Sequence, residues 1–270
     1  MLQNKCVLSV KNLSVSFSQY VKGLKQKTIT PVRALDFQVN QGEVHAIIGA
    51  SGSGKSLLAH AILGILPYNA ICYGKMSYMG EPLTEKRKEM LRGKEIAFIP
   101  QSVNYLDPLM KVGKQIKIGL PKENAAETEK QLLSQYGLKQ EDRDRYPFEL
   151  SGGMLRRILF ATSVKKNVKL VIADEPTPGI HPQALSAILN QLRTFADEGA
   201  AVMLITHDIV SALAISDRVT VLRDGEAIET VDADCFQGQG ENLKHPYTKA
   251  LWRCLPANEF ILFQEDTICL

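Results

Sequence analysis

Apolar positions along the chain fall into two kinds of run. Some alternate with polar residues, as in VLSVKNLSVSF over 7–17, and predict a half-exposed strand at a sheet edge, followed by its turn. Others are unbroken. EIAFIP (95–100), KLVIADE (169–175) and AVMLITHD (201–208) suit parallel strands covered on both faces. RALDFQVN and EVHAIIG, joined at Gln41-Gly42, look like a hairpin, and the basic, polar segment 18–31 before them looks like a loop. KMSYMGEPL (75–83) and RVTVLRDGEAIET (218–230, around Asp224-Gly225) predict two further hairpins.

Helical periodicity appears at four places. Residues 55–66 are apolar nearly all round, which predicts a buried helix stopped by Pro67. Helix 183–197 places Leu185, Ile188, Leu189, Leu192 and Phe195 on one face and ends at Gly199. Between 101 and 165 strand signals vanish, and helices are expected at about 122–136 and 152–165. Strands alternating with helices predict an α/β fold with a parallel sheet, whose ligands gather at the strand carboxyl ends. The expected organisation is one domain over 1–270. Its core is 1–100 and 166–240, 101–165 is an inserted helical subdomain, and 241–270 is a tail.

Composition narrows this little. At 45% hydrophobic residues the 270-residue chain has ample core, and a net charge of +3 is too mild to argue for nucleic acid. No apolar run approaches a membrane span, and MLQNKC leads directly into strand-like sequence without a signal-peptide core. The five cysteines (6, 72, 235, 254, 269) are scattered, without C-x-x-C, and are read as reduced thiols of a cytosolic protein.

Chemistry concentrates where the unbroken runs end. EVHAII, the run before Gly49, leads into GASGSGKS, 49–56, in the spacing G-x-x-x-x-G-K-S. Gly49, Gly52 and Gly54 allow a backbone curl in which the N–H groups of Ala50, Ser51, Ser53 and their neighbours point at an anion. Lys55 then offers charge to β- and γ-phosphates, and the Ser56 hydroxyl can ligate Mg²⁺. Asp174 fits the acid that holds Mg²⁺ opposite Ser56, and Glu175 suits polarising an attacking water. With His207, these groups supply the placement and charge neutralisation that phosphoryl transfer to water requires. Taken singly, Asp174-Glu175 also suits an exposed strand end, and His207 a helix cap. A fourth piece is LSGGM, 150–154, where Ser151, Gly152 and Gly153 open a helix as a second backbone anion site, although Ser-Gly-Gly is also a common loop.

The phosphate loop, Gln101 after a strand, LSGG, VIADEP and the late His207 resemble, in that order and at those distances, the ATP-binding subunits of ABC transporters. The resemblance covers about residues 7–255. It implies a P-loop NTPase fold of ABC type: a mixed sheet core, an antiparallel β subdomain and an inserted helical subdomain. It implies ATP and Mg²⁺ as cofactors, held by Gly49 to Ser56 with Phe17 stacked on adenine (Tyr20 second choice). Gln101 would sense Mg²⁺ and water, and His207 would contact the γ-phosphate. Ser56, Gln101 and Asp174 would surround the metal, and Lys55, Gln101, Glu175 and His207 would serve hydrolysis. Two such subunits would dimerise head to tail, with Ser151, Gly152 and Gly153 completing the partner's ATP site.

QSVNYLDPLMKVGKQI (101–116), YPFELSGGM and HPYTKAL (245–251) are similar to the oligopeptide, dipeptide and nickel importer branch. GKSLLAHAILGILP and YPFELSGGMLRR look closest to its nickel or metallophore type. The implied role is a peripheral ATPase subunit on the cytoplasmic face of the cell membrane. Two permease subunits and, indirectly, an extracytoplasmic solute-binding protein would be its partners, and nucleic acid would not. The implied cargo is nickel, another metal chelate or short peptides; the alternatives are a soluble ABC-type ATPase not coupled to transport, or peptide rather than nickel as cargo. Where the family has Thr-Thr-Ala-Leu-Asp, this chain has Thr177-Pro178-Gly179-Ile180-His181, and the family's Gln after LSGG is Arg156. Both departures are expected on the partner-facing side, which implies a heterodimer with a paralogous subunit and two sites of unequal activity. No iron–sulfur cluster is expected at the tail, because Cys254 and Cys269 are not spaced for one.

Overall fold

The computed structural model describes residues 5–22, 25–164, 168–177 and 182–255. The chain opens with β1 (Cys6–Lys22), β2 (Lys25–Asn40), β3 (Val44–Gly49) and α1 (Lys55–Leu63). β4 (Ala70–Tyr78), the two-residue β5 (Glu81–Pro82), α2 (Glu85–Leu91) and β6 (Ile96–Ile99) follow. The middle is helical, with α3 (Val112–Lys117), α4 (Ala125–Gln135) and α5 (Gly152–Ser163). The rest comprises β7 (Leu170–Asp174), α6 (Pro182–Asp197), β8 (Ala201–Thr206), α7 (Ile209–Leu213), β9 (Arg218–Arg223), β10 (Glu226–Asp232) and α8 (Pro246–Arg253).

The unbroken apolar runs form the middle of a six-stranded sheet ordered β10-β9-β3-β8-β7-β6, parallel except for the β9–β10 hairpin. Every residue of β3, β7 and β8 is buried, so Val, Ile, Leu and Ala fill positions that meet helices or the second sheet on both sides. That second sheet is antiparallel, ordered β2-β1-β4-β5. α1 is buried between the two sheets, with Leu58, Ala59, Ala61 and Ile62 in the shared core, which explains its lack of a polar face. The opposite face of the large sheet packs on α5 and α6 through Phe160, Ile188, Leu189 and Leu192. The helical region has its own core of Val112, Ile116, Leu133, Ile158 and Leu159. α5 contributes to both.

Four sequence expectations are corrected. β1 lies between β2 and β4 and is not an edge strand. Residues 18–31 are largely strand, since β1 continues to Lys22 and β2 begins at Lys25. RALDFQVN and EVHAIIG do not pair: β2 belongs to the antiparallel sheet and β3 to the parallel one, and Gly42 (φ 74°) turns the chain between them. α1 ends at Leu63, because Gly64 takes the left-handed conformation (φ 67°) and its N–H closes on Ala61 and His60 carbonyls before Pro67 is reached. The helices α2, α3, α7 and α8 had no sequence expectation. All four are short, seven, six, five and eight residues, too few turns to show a periodicity.

One polar chain ties the two sheets together. His45 on β3 is fully buried; its Nδ1 donates to the Gln38 carbonyl of β2 (2.8 Å), and its Nε2 accepts from the Thr220 hydroxyl of β9 (2.7 Å). Thr220 in turn meets Thr230 of β10 at 2.8 Å. Burial above all, then Arg218, pushes the imidazole down to about 4, against the Gln38 carbonyl, so the ring is neutral near pH 7.

Candidate functional site

Parallel strands bring their carboxyl ends to one edge of the sheet, and that register gathers the chemistry. β3 delivers Gly49, β8 delivers His207, β7 delivers Asp174 and Glu175, and β6 delivers Gln101, in the spatial order of adjacent strands. Ser51, Gly52, Gly54, Lys55, Ser56, Leu57, Gln101 and Glu175 line one cavity of about 200 Å³.

The loop between β3 and α1 demands its glycines. Gly54 caps α1 at φ 91°, and a Cβ there would stand 2.6 Å from the Pro31 carbonyl oxygen. A Cβ on Gly49 would stand 2.4 Å from the Leu222 carbonyl oxygen. The loop is therefore pressed between β2 and β9, and its shape is imposed by neighbours as much as by its own flexibility. Lys55 is buried, and its ammonium donates to the carbonyls of Gly49 (2.8 Å) and Ala50 (2.9 Å). Burial holds its pKa below the usual lysine range, while Glu175 and Asp174 oppose that shift. Ser53 Oγ is buried without a hydrogen-bond partner.

Ser56 Oγ donates to Asp174 Oδ1 at 3.1 Å. Burial raises the Asp174 carboxyl to about 6; the Ser56 bond and Lys55 lower it and Glu175 raises it. Glu175 is neither an exposed strand end nor relaxed. It is buried at φ 45°, a left-handed conformation unfavourable for a residue with a Cβ, and its N–H is held by the Ile205 carbonyl at 2.8 Å. Its carboxylate lies 2.9 Å from His207 Nδ1 and accepts from the Thr206 hydroxyl at 3.3 Å. His207 does not cap the following helix. Asp208 does, accepting from Ser211 N, and leaves the exposed imidazole of His207 beside Glu175.

The other expected site residues lie apart from this cavity. Ser151 caps α5 by accepting from Met154 N at 3.3 Å and, like Gly152, is exposed; Gly153 is half-buried. Phe17 is half-buried against the core of the antiparallel sheet, between Ile29 of β2 and Ala70 of β4, and the side chain of Tyr20 lies outside the described residues. Pro178, Gly179, Ile180 and His181 also lie outside them. Arg156 is corrected: it does not face outward to a partner but is buried, donating to the Pro100 and Gln101 carbonyls of its own chain. Thr206 went unnoticed in the sequence, although its place in LITHD, one residue from His207, was a signal.

Comparison with known proteins gives the family. A family described as ABC transporter matches residues 32–178. The oligopeptide transport ATP-binding protein OppD of Bacillus subtilis (strain 168) is 34% identical over 94% of this chain and 73% of its own length. The dipeptide transport ATP-binding protein DppD of Escherichia coli (strain K12) is 35% identical over 93% and 78%. Among solved structures, a dimeric bacterial ABC transporter cassette superposes with a TM-score of 0.72 over 86% of this chain and 99% of its own; at 23% identity this is a likeness of fold. The chain belongs to the ABC transporter family, as an ATP-binding cassette with ATPase function. Among the described residues no helix is long and apolar enough to cross a membrane.

Proposed function

We propose that this chain is the ATP-hydrolysing subunit of an importer of the peptide and nickel branch, peripheral to the cytoplasmic face of the membrane. The observation that carries it is the convergence of Lys55, Ser56, Gln101 and Glu175 on one cavity from three strand ends, with Asp174 and His207 in contact behind them. Peptides are the favoured cargo class, since the named relatives are oligopeptide and dipeptide transport proteins. The nickel reading rests on GKSLLAHAILGILP and YPFELSGGMLRR alone.

The residues suit Mg²⁺. Ser56, Gln101 and Asp174 offer hard oxygen donors, and Asp174 is a buried carboxyl whose pKa is raised above all by burial. Bound there, the metal would neutralise charge on the phosphates. Lys55 exchanges its two carbonyl partners for β- and γ-phosphate oxygens, and the unpaired Ser53 hydroxyl gains an acceptor. Glu175, held by Thr206 and His207, orients the attacking water and receives its proton, while the imidazole of His207 stands beside the γ-phosphate. Phe17 stacks on adenine. Ser151, Gly152 and Gly153 complete the ATP site of a second, paralogous ATPase subunit; the Pro178-to-His181 segment, lacking the family's Asp, supports unequal sites. Exposed Tyr105, Leu109, Ile118 and Phe148 offer the helical subdomain an apolar surface for permease subunits, which a solute-binding protein would serve.

The test is direct. Lys55→Ala should weaken equilibrium ATP binding at least about a hundredfold, and Glu175→Gln should leave binding intact while stopping turnover. Wild-type affinity in Lys55→Ala refutes the assignment.

A further inference from the structure

β6 ends at Ile99, and the carbonyls of Pro100 and Gln101 project past the last ladder pair with β7, Ile99 with Ala173. A cation from another element meets them. Arg156, in the second turn of α5, is only 8% exposed, and its Nη1 donates to both carbonyls. Its neighbour Arg157 turns the other way and donates to the Gly137 carbonyl at the end of α4 (2.9 Å). Burial lowers the Arg156 pKa from its usual value, and a guanidinium keeps its charge through such a shift. The segment beyond is pinned separately: Gln115 of α3 donates to the Asp107 and Met110 carbonyls at 2.8 and 2.7 Å and accepts from Asp107 N at 2.9 Å.

We propose that Arg156 is a positioning residue for Gln101, tying a group that lines the nucleotide cavity to the helix that opens with Ser151-Gly152-Gly153. The inference rests on the ATP-site reading above and goes beyond it. Arg156 Nη1 fixes the Gln101 backbone relative to α5, so a displacement of the Ser-Gly-Gly end of α5 is carried to Gln101 through that side chain. A glutamine at 156 has a shorter side chain and a neutral amide donor, so the arginine makes this link longer and charge-assisted. Arg156 touches no reacting atom in this scheme; it acts through Gln101.

The experiment measures equilibrium binding of a fluorescent ATP analogue to the purified chain, with and without Mg²⁺, in a double-mutant cycle of Arg156→Met and Gln101→Ala. Arg156→Met should reduce the Mg²⁺-dependent gain in affinity about fivefold, with Mg²⁺-free affinity within about twofold of wild type. In the Gln101→Ala background it should have no further effect, and Arg156→Lys, which keeps a charged donor, should recover most of the loss. An equal fall in both backgrounds, or no fall in either, overturns the proposal. Should Arg156→Met fail to fold, as judged by far-ultraviolet dichroism, the same cycle is run with Arg156→Gln. If Lys55→Ala binds the analogue as wild type does, the ATP-site reading has failed and this inference falls with it; normal Lys55 behaviour with additive Arg156 and Gln101 effects overturns this inference alone.

Discussion

Gly49 and Gly54 in the phosphate loop, and Gly152 and Gly153 at the start of α5, occupy opposite situations. A side chain at 49 or 54 would collide with backbone oxygens of β9 or β2 at 2.4 and 2.6 Å, whereas a Cβ at 152 or 153 meets nothing within 4 Å. The first pair is required by this chain's own packing. The second is not: alanine would be the better helix residue there, by up to about 1 kcal/mol. Glycines without an internal reason fit a surface that must admit something else closely, as the second anion site would. On the proposed reading, the difference separates a site built inside one subunit from a surface half-built for another.

The largest expected effect is on the packed side. Gly49→Ala should destabilise the fold by at least about 3 kcal/mol, because the obstacle is backbone and cannot swing away. Urea denaturation measures this, and a loss under about 1 kcal/mol would mean that β9 does not press on the loop. Next comes acid. His45 sits on β3, which leads into the loop, and its folded pKa of about 4 lies below the unfolded 6.5. The neutral ring therefore stabilises the fold fully above pH 6.5, and that contribution, up to about 3 kcal/mol, is lost as pH falls from 6.5 toward 4. His45→Gln should flatten that part of the stability-versus-pH curve; Glu43, whose carboxyl burial raises, has the opposite slope and stays in both proteins. An unchanged curve in the variant would remove His45 from the account. The smallest effect is Gly153→Ala, which should leave stability unchanged or improve it by about 0.5 kcal/mol. It should nevertheless lower ATPase activity once the chain is assembled with its partner subunit, and retention of full activity there would end the idea that this surface approaches a phosphate.

Much of the fold was legible because burial on both faces leaves a simple mark. β6, β7 and β8 were each recognisable as unbroken apolar runs, and α6 from the spacing of Leu185, Ile188, Leu189, Leu192 and Phe195. The antiparallel sheet was harder. β1 and β2 shift register at several places, and between Val10 and Leu13 the apolar alternation of β1 moves to the other parity. Beyond Phe17 the polar Ser18 and Gln19 are exposed, so nothing apolar marks the continuation, and a 17-residue strand looked like a short one with a loop after it. The turn at Gln41-Gly42 was also ambiguous, because a tight turn between two strands has the same local sequence whether they pair or separate into two sheets.

By itself the sequence marked the glycine-rich loop after β3, the acids at the end of β7 and the histidine after β8 as candidates, because that reading depends on residue type and local spacing. It also determined that their strands would be buried, and hence parallel and aligned at one end. Only the tertiary structure decided that His207 faces Glu175 and caps nothing, that Glu175 is held in a left-handed conformation by Ile205, and that Arg156 turns inward onto Gln101. Each of those is a contact between residues at least 30 positions apart, and the direction of a side chain across such a gap is set by which elements pack together. The local chain offers Arg156 an outward and an inward face; the Pro100 and Gln101 carbonyls just past β6, brought alongside by the packing of α5, select the inward one.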